Sequence, residues 1–251
     1  VPKPKPSKIA GRTVEWPELH GVENDLAAVR SMLLQAVHPL DAMSIITLIE
    51  PRDTTAANIN DQLDRCVGKL EPGDTFILML DGHGYHTPDV DSDDGDGWDE
   101  VFISSTGEPI LDDEFAARWA KTPRDVTIIG LVDTCFADTS GNWLDHPAKH
   151  LSKPALPVTI RTRDGAPRFF FSASLQEQDA YETDAAGQRR GVLSAALADV
   201  WSLTEGSRES YATLFGYAQQ LAAYYDRRQT TRARFTGPEL SSVVNRPPFS
   251  V

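Results

Sequence analysis

Apolar positions recur at two different periods along this chain. Leu26, Val29, Leu33 and Val37 lie three or four apart and predict an inward-facing helical stripe, with Asn24 or Asp25 as its cap. The stretch AANINDQLDRCVGKL predicts a second helix with Ile59, Leu63 and Cys66 on one face, which makes Cys66 a core residue. Met43 to Ile49 reads as a strand. Two continuous apolar runs, Thr75 to Leu80 and Val126 to Val132, read as strands buried on both faces of a parallel sheet. Glu100 to Ser104 and Arg168 to Ser172 read as further strands. Helices are expected from Asp112 or Asp113, carrying Phe115 and Trp119, and near Val192–Leu203 and Tyr211–Tyr225. The opening VPKPKPSK reads as an extended tail, and Arg227 to Val251 as irregular.

Strand and helix alternate, which predicts an α/β domain with a central, mostly parallel sheet flanked by helices. Sites in such sheets lie beyond the carboxyl ends of the strands. The two apolar runs end in Asp81-Gly82-His83-Gly84 and Asp133-Thr134-Cys135. If the strands are neighbours, His83 and Cys135 meet at one edge. A thiol beside an imidazole supplies a nucleophile and a general base or acid. Gly84 lets its N–H approach a carbonyl oxygen, and with the Cys135 N–H it would form an oxyanion hole. Taken singly, a histidine at a strand end is more often structural, and a cysteine after a buried strand more often inert.

Net charge is −13, which argues against a general nucleic-acid binder and suits a protein that meets cations. No apolar run is long enough for a membrane span. The chain starts with Val and reads as a fragment from which a leader could have been lost. Two cysteines make no disulfide framework, so a reducing, cytoplasmic setting is expected.

Several segments, in order, resemble the metacaspases and orthocaspases, the caspase-like cysteine peptidases. They are LHGVENDL, PGDTFILMLDGHG, DSDDGDGWDEVF with ILDDEF, LVDTCFAD, FFFSASLQEQDAYE and RGVLSAALADVW, covering Pro17 to Trp201. The resemblance implies a caspase-like sandwich. Residues 1–16 would be a tail or partial first strand, and 17–251 a single peptidase domain. Within that domain, 17–145 would carry the dyad, 146–168 a basic connecting loop and 169–251 a small-subunit-like part. It implies a His83–Cys135 dyad and cleavage after Arg or Lys. Asp25 and Asp133 match the family's pocket positions, and Asp81 stands where the family usually has Ser. Three carboxylates would pair with a basic P1 side chain and repel an acidic one. Capping alone is the other reading of Asp25.

Seven acidic residues crowd positions 89–100. Asp89, Asp91, Asp93 and Glu100 fit EF-hand spacing, but Asp94 stands where the loop requires Gly. The resemblance instead implies an activating calcium ion on Asp99, Asp112, Asp113 and Asp145. A solvated acidic loop is the alternative. His83 and His86 form His-x-x-His, a weak zinc signal that would make the protein a metal hydrolase. The basic residues between Asp145 and Arg168 make that loop a candidate self-cleavage site. Phe136, Ala137 and Asp138 replace the family's His-Ser-Gly after the nucleophile. That departure keeps open a second reading, a catalytically silent caspase-like binding module. Peptide substrates with basic P1 residues, a monomer, and neither nucleic acid nor membrane as partner complete the expectation.

Overall fold

The computed structural model describes residues 3–38, 40–89, 97–135, 158–160, 166–175, 178–185, 187–204, 208–237 and 243–249. The chain opens with a hairpin of β1 (Ser7–Ile9) and β2 (Arg12–Val14), followed by α1 (Val22–Gln35), a 3-10 turn at Ala42–Ser44, α2 (Ala56–Val67) and β3 (Thr75–Asp81). Next come β4 (Gly84–Pro88), β5 (Trp98–Ile103), β6 (Pro109–Leu111), α3 (Asp112–Trp119) and β7 (Thr127–Asp133). The remainder holds β8 (Val158–Ile160), β9 (Arg168–Ser172), the hairpin β10 (Glu182–Ala185) and β11 (Gln188–Gly191), α4 (Val192–Thr204), α5 (Tyr211–Tyr225) and β12 (Arg232–Thr236).

The central sheet runs β3-β7-β9-β12-β8. β3, β7 and β9 are parallel, while β12 is antiparallel to β9. Alternation along the strands feeds two cores. Phe169, Phe171 and Phe235 pack with α1, α4 and α5, and Phe169 stacks on Phe235 with centroids 4.2 Å apart. Ile128, Val132 and Phe170 pack with Phe115 and Trp119 of α3 and with α2. Phe170 lies directly over Gly130, where any side chain would collide with the ring. A smaller sheet, β4-β5-β6, follows β3 and carries the first hairpin through contacts of Ile9 and Trp16 with Val101 and Ile103.

Several expectations need correction. Met43–Ile49 is no strand: beyond the 3-10 turn it has no regular structure, although Ile45 and Leu48 pack against opposite cores. Among the described residues β3 is therefore an edge strand, and six of its seven residues, all but Leu80, are only half-buried. β7, flanked on both sides, is buried throughout. α1 ends at Gln35 and leaves Val37 exposed, while Met32 joins Val29 and Leu33 inside. Cys66 is half-buried because Val67 takes the core position beside Ile59 and Leu63. The supposedly irregular tail contains β12, whose Ala233 and Phe235 face the core between arginines.

Candidate active site

Parallel pairing of β3 with β7 places Asp81 opposite Asp133, so both strand ends reach the same sheet edge. Each strand then turns out of the sheet, one into His83 and the other into Cys135. The two turns touch, because a side chain at Gly84 would run into the Cys135 carbonyl oxygen. The site needs glycine there for close approach of two backbones.

His83 is buried, with its ring 5.2 Å from that of Trp16. Its Nε2 lies 2.9 Å from the Pro17 carbonyl oxygen. A carbonyl only accepts, so Nε2 carries the proton and Nδ1 is the basic nitrogen. Burial lowers the His83 pKa, against the Pro17 hydrogen bond and the Glu182 charge, which raise it. The imidazole is thus a neutral base at neutral pH. Sγ of Cys135 accepts the Ala180 N–H at 3.2 Å. Burial pushes the resting thiol up, with smaller upward contributions from Asp179 and Asp133, while the N–H groups of Ala180 and of Cys135 itself oppose the shift.

Behind these groups sit three carboxyls: Asp25 and Asp133 are buried, and Asp81 is half-buried with its Oδ2 shielded. Asp25 does not cap its helix: Gly21 is the cap residue and no side chain caps the turn. Its Oδ2 instead accepts the Gly191 N–H at 2.8 Å. Asp133 accepts the Ser194 N–H at 3.0 Å and its hydroxyl at 2.7 Å, so it caps α4 from a neighbouring strand. Gly191 must lack a side chain, since a Cβ would strike the Asp133 carboxylate. The Asp81 and Asp25 carboxyls contact each other, which lowers Asp25 and raises Asp81. Beyond that contact, Asp25 Oδ1 and Asp81 Oδ2 have no hydrogen-bond partner. Burial, and then the neighbouring charge of Asp133, raise Asp25 to about 8 and hold Asp81 well above the carboxylate range. Burial raises Asp133 to about 6, with Ser194 pulling it back. Three acids this close cannot all ionise without a cation among them.

Glu182, to which the sequence reading gave no role, closes the group. It accepts the backbone N–H groups of His20 (2.8 Å) and Gly21, and so fixes the segment that carries Pro17 and leads into Asp25. It lies in the quoted segment DAYE, so its position was visible although its function was not.

The residues expected to hold calcium are only partly gathered. Asp99 on β5 and Asp112 at the start of α3 are buried, and Asp113 is half-buried. The β5–β6 register, Val101 opposite Leu111, carries Glu100 toward Asp112, and both line a small cavity that also touches Cys135. These hard oxygen donors suit calcium. Among the described residues, however, no three His, Cys, Asp or Glu side chains form a group able to hold a metal ion, for calcium or for zinc. Asp145, Phe136 to Asp138 and most of the basic loop lie outside the described residues. His86 stacks on Tyr85 and meets Trp98 edge-on.

A thiol and an imidazole at adjoining strand ends, backed by acids, make a site of the cysteine-peptidase class. Residues 10–147 match the metacaspase, peptidase C14 domain, and the chain belongs to that family. It is 31% identical to Metacaspase-1A of Neurospora crassa over 147 residues, 54% of this chain and 31% of that one. It is 28% identical to Metacaspase-1B of Aspergillus terreus over 165 residues, covering 62% and 43%. The chain thus spans less than half the length of these curated relatives. The solved structure of protein GSU0716 from Geobacter sulfurreducens shares the fold, with a TM-score of 0.69 at 20% identity over 94% of this chain and 92% of that one. Among the described residues, no helix is long and apolar enough to cross a membrane.

Proposed function

We propose that the protein is a cysteine endopeptidase that cleaves peptide bonds after Arg or Lys, acting as a monomer. His83 Nδ1 takes the thiol proton, and the Cys135 thiolate attacks the scissile carbonyl. The N–H groups of Gly84 and Cys135 receive the oxyanion. The imidazolium then protonates the leaving amine, and His83 activates the water that hydrolyses the acyl-enzyme.

One observation carries the choice of P1 residue: buried Asp25 and Asp133 and half-buried Asp81 stand together, and one oxygen each of Asp25 and Asp81 has no donor outside the cluster. A guanidinium or ammonium entering there would release the protons that the cluster holds. An acidic side chain would meet only repulsion. Calcium is assigned to Asp99, Asp112, Asp113 and Asp145, as an activator and not a reactant. Support comes from the burial of Asp99 and Asp112 and the closeness of Asp112 to the cavity beside Cys135. Self-cleavage in the loop between Asp145 and Arg168 belongs to the same reading.

A second reading, a silent binding module, is favoured by the raised thiol of Cys135 in the resting protein. Fluorogenic peptides ending in Arg, Lys or Asp separate the two. Calcium-dependent cleavage after Arg and Lys, absent in Cys135→Ala, is the expected result. Silence on every peptide from folded protein would favour the module.

A further inference from the structure

The sulfur of Cys135 has one close backbone donor outside its own residue, the N–H of Ala180 at 3.2 Å. The Ala180 carbonyl lies 3.8 Å from the same sulfur. Ala180 belongs to the strap between β9 and β10, of which residues 173–175 and 178–181 are described. A strap has no ladder to fix it, so something else must aim this N–H.

Residues 226–230, between α5 and β12, do so. Gln229 is almost completely buried, and its Oε1 accepts the Tyr181 N–H at 2.8 Å. Gln178 reaches back the other way, its Oε1 accepting the Thr230 N–H at 3.1 Å. The Arg228 guanidinium sits 3.9 Å over the Tyr181 ring and is itself held by Asp226 through Nε at 3.0 Å. Three contacts thus clamp Tyr181, next to Ala180, and Gln178, two residues before it.

We propose that Gln229, Arg228 and Gln178 are positioning residues for the nucleophile, holding the 178–181 strap so that the Ala180 N–H stabilises the Cys135 thiolate. This rests on the reading of Cys135 as the nucleophile. An N–H aimed at sulfur binds the anion more strongly than the neutral thiol, so it favours ionisation. Burial and the carboxylates nearby work against ionisation, which makes the donor more consequential here. Its loss would leave a buried thiol beside acids with little to stabilise its charge.

The test is the pH dependence of Cys135 alkylation by iodoacetamide, measured on the full chain in a Cys66→Ala background and located by mass spectrometry. Gln229→Met keeps bulk and removes the acceptor, and Ala180→Pro removes the donor itself. Arg228→Ala and Gln178→Leu change partly exposed side chains and stay usable if the buried substitution fails to fold. The alkylation midpoint should rise by about one pH unit in Gln229→Met and Ala180→Pro, roughly a tenfold loss of rate below it. Smaller rises in the same direction are expected for Arg228→Ala and Gln178→Leu, with the thermal midpoints of these two little changed. A merely structural brace would alter melting without moving the alkylation midpoint. A parent midpoint that none of the folded variants moves overturns the positioning role alone. A Cys135 that iodoacetamide fails to label in the folded parent at any pH overturns both this role and the nucleophile reading.

Discussion

Two acid-rich regions of this molecule look opposite in sequence and in structure. Positions 89–100 hold seven acids in one run, yet among the described residues no metal-holding group forms there or elsewhere. Asp25, Asp81 and Asp133 are more than fifty residues apart, and the fold gathers them, with Asp25 and Asp133 buried and Asp81 half-buried. Of that run, Asp99 and Glu100 are buried on β5, while Asp25, Asp81 and Asp133 are delivered by a helix start and two paired strand ends and cannot separate. The pKa values of the gathered acids record this: burial and the charge of Asp133 raise Asp25 to about 8, and burial raises Asp133 to about 6. Charge placed by topology is held in position, and held charge can select a ligand.

The sharpest way to break this contrast is at Asp133. Asp133→Ala should lower kcat/KM on Arg peptides about a hundredfold or more, in line with roughly 2–5 kcal/mol for removing one member of a buried charge pair. It should also lower the melting temperature, because the start of α4 loses its cap. Steady-state kinetics beside thermal unfolding would show both. A variant that melts earlier but keeps its selectivity would reduce Asp133 to a cap.

Next in size is the pH dependence of stability without substrate. Asp25 and Asp81 bind protons more tightly folded than unfolded, so the unfolded chain releases protons between pH about 4 and about 8. Their contribution to stability is present below that window and lost as pH rises through it. The melting temperature of the free protein should fall across this range from this source. Asp81→Ser should flatten the slope, and an unchanged slope would count against the contact between Asp25 and Asp81. His83, with its lowered pKa, shifts the acid limb of activity below the position an ordinary histidine would give.

Smaller effects belong to the other acid region. Asp112→Asn should weaken the calcium-induced rise in melting temperature several-fold, read by a titration of the thermal shift. Changing Asp91, Asp93 and Asp94, which lie outside the described residues, together to Asn should alter stability by no more than about 0.5 kcal/mol if the solvated-loop reading of the run is right. If the triple change abolished the calcium response and Asp112→Asn did not, the ligand assignment would have to move into the loop.

The two strand ends were readable because apolar runs ending in Asp-Gly-His-Gly and Asp-Thr-Cys mark where a parallel sheet places reactive groups. Whether a run lies at an edge was not readable. TFILML and VTIIGLV are equally apolar, yet β3 is half-exposed and β7 buried, because burial depends on the neighbours. Asp25 misled for a related reason: an acid near a helix start satisfies a local rule, while its partner, the Gly191 N–H, is remote. The same holds for Pro17, Glu182 and Gln229. Each acts through a backbone group or a distant contact, which leaves no residue-type signature in the chain.

The most direct measurement compares P1 Arg with P1 citrulline, the same shape without the charge, in one peptide series. If Asp25, Asp81 and Asp133 read charge, kcat/KM should favour Arg by about a hundredfold or more, and Asp133→Asn should collapse most of that ratio. Equal cleavage of the two peptides by the parent protein would contradict the claim that these acids select the substrate.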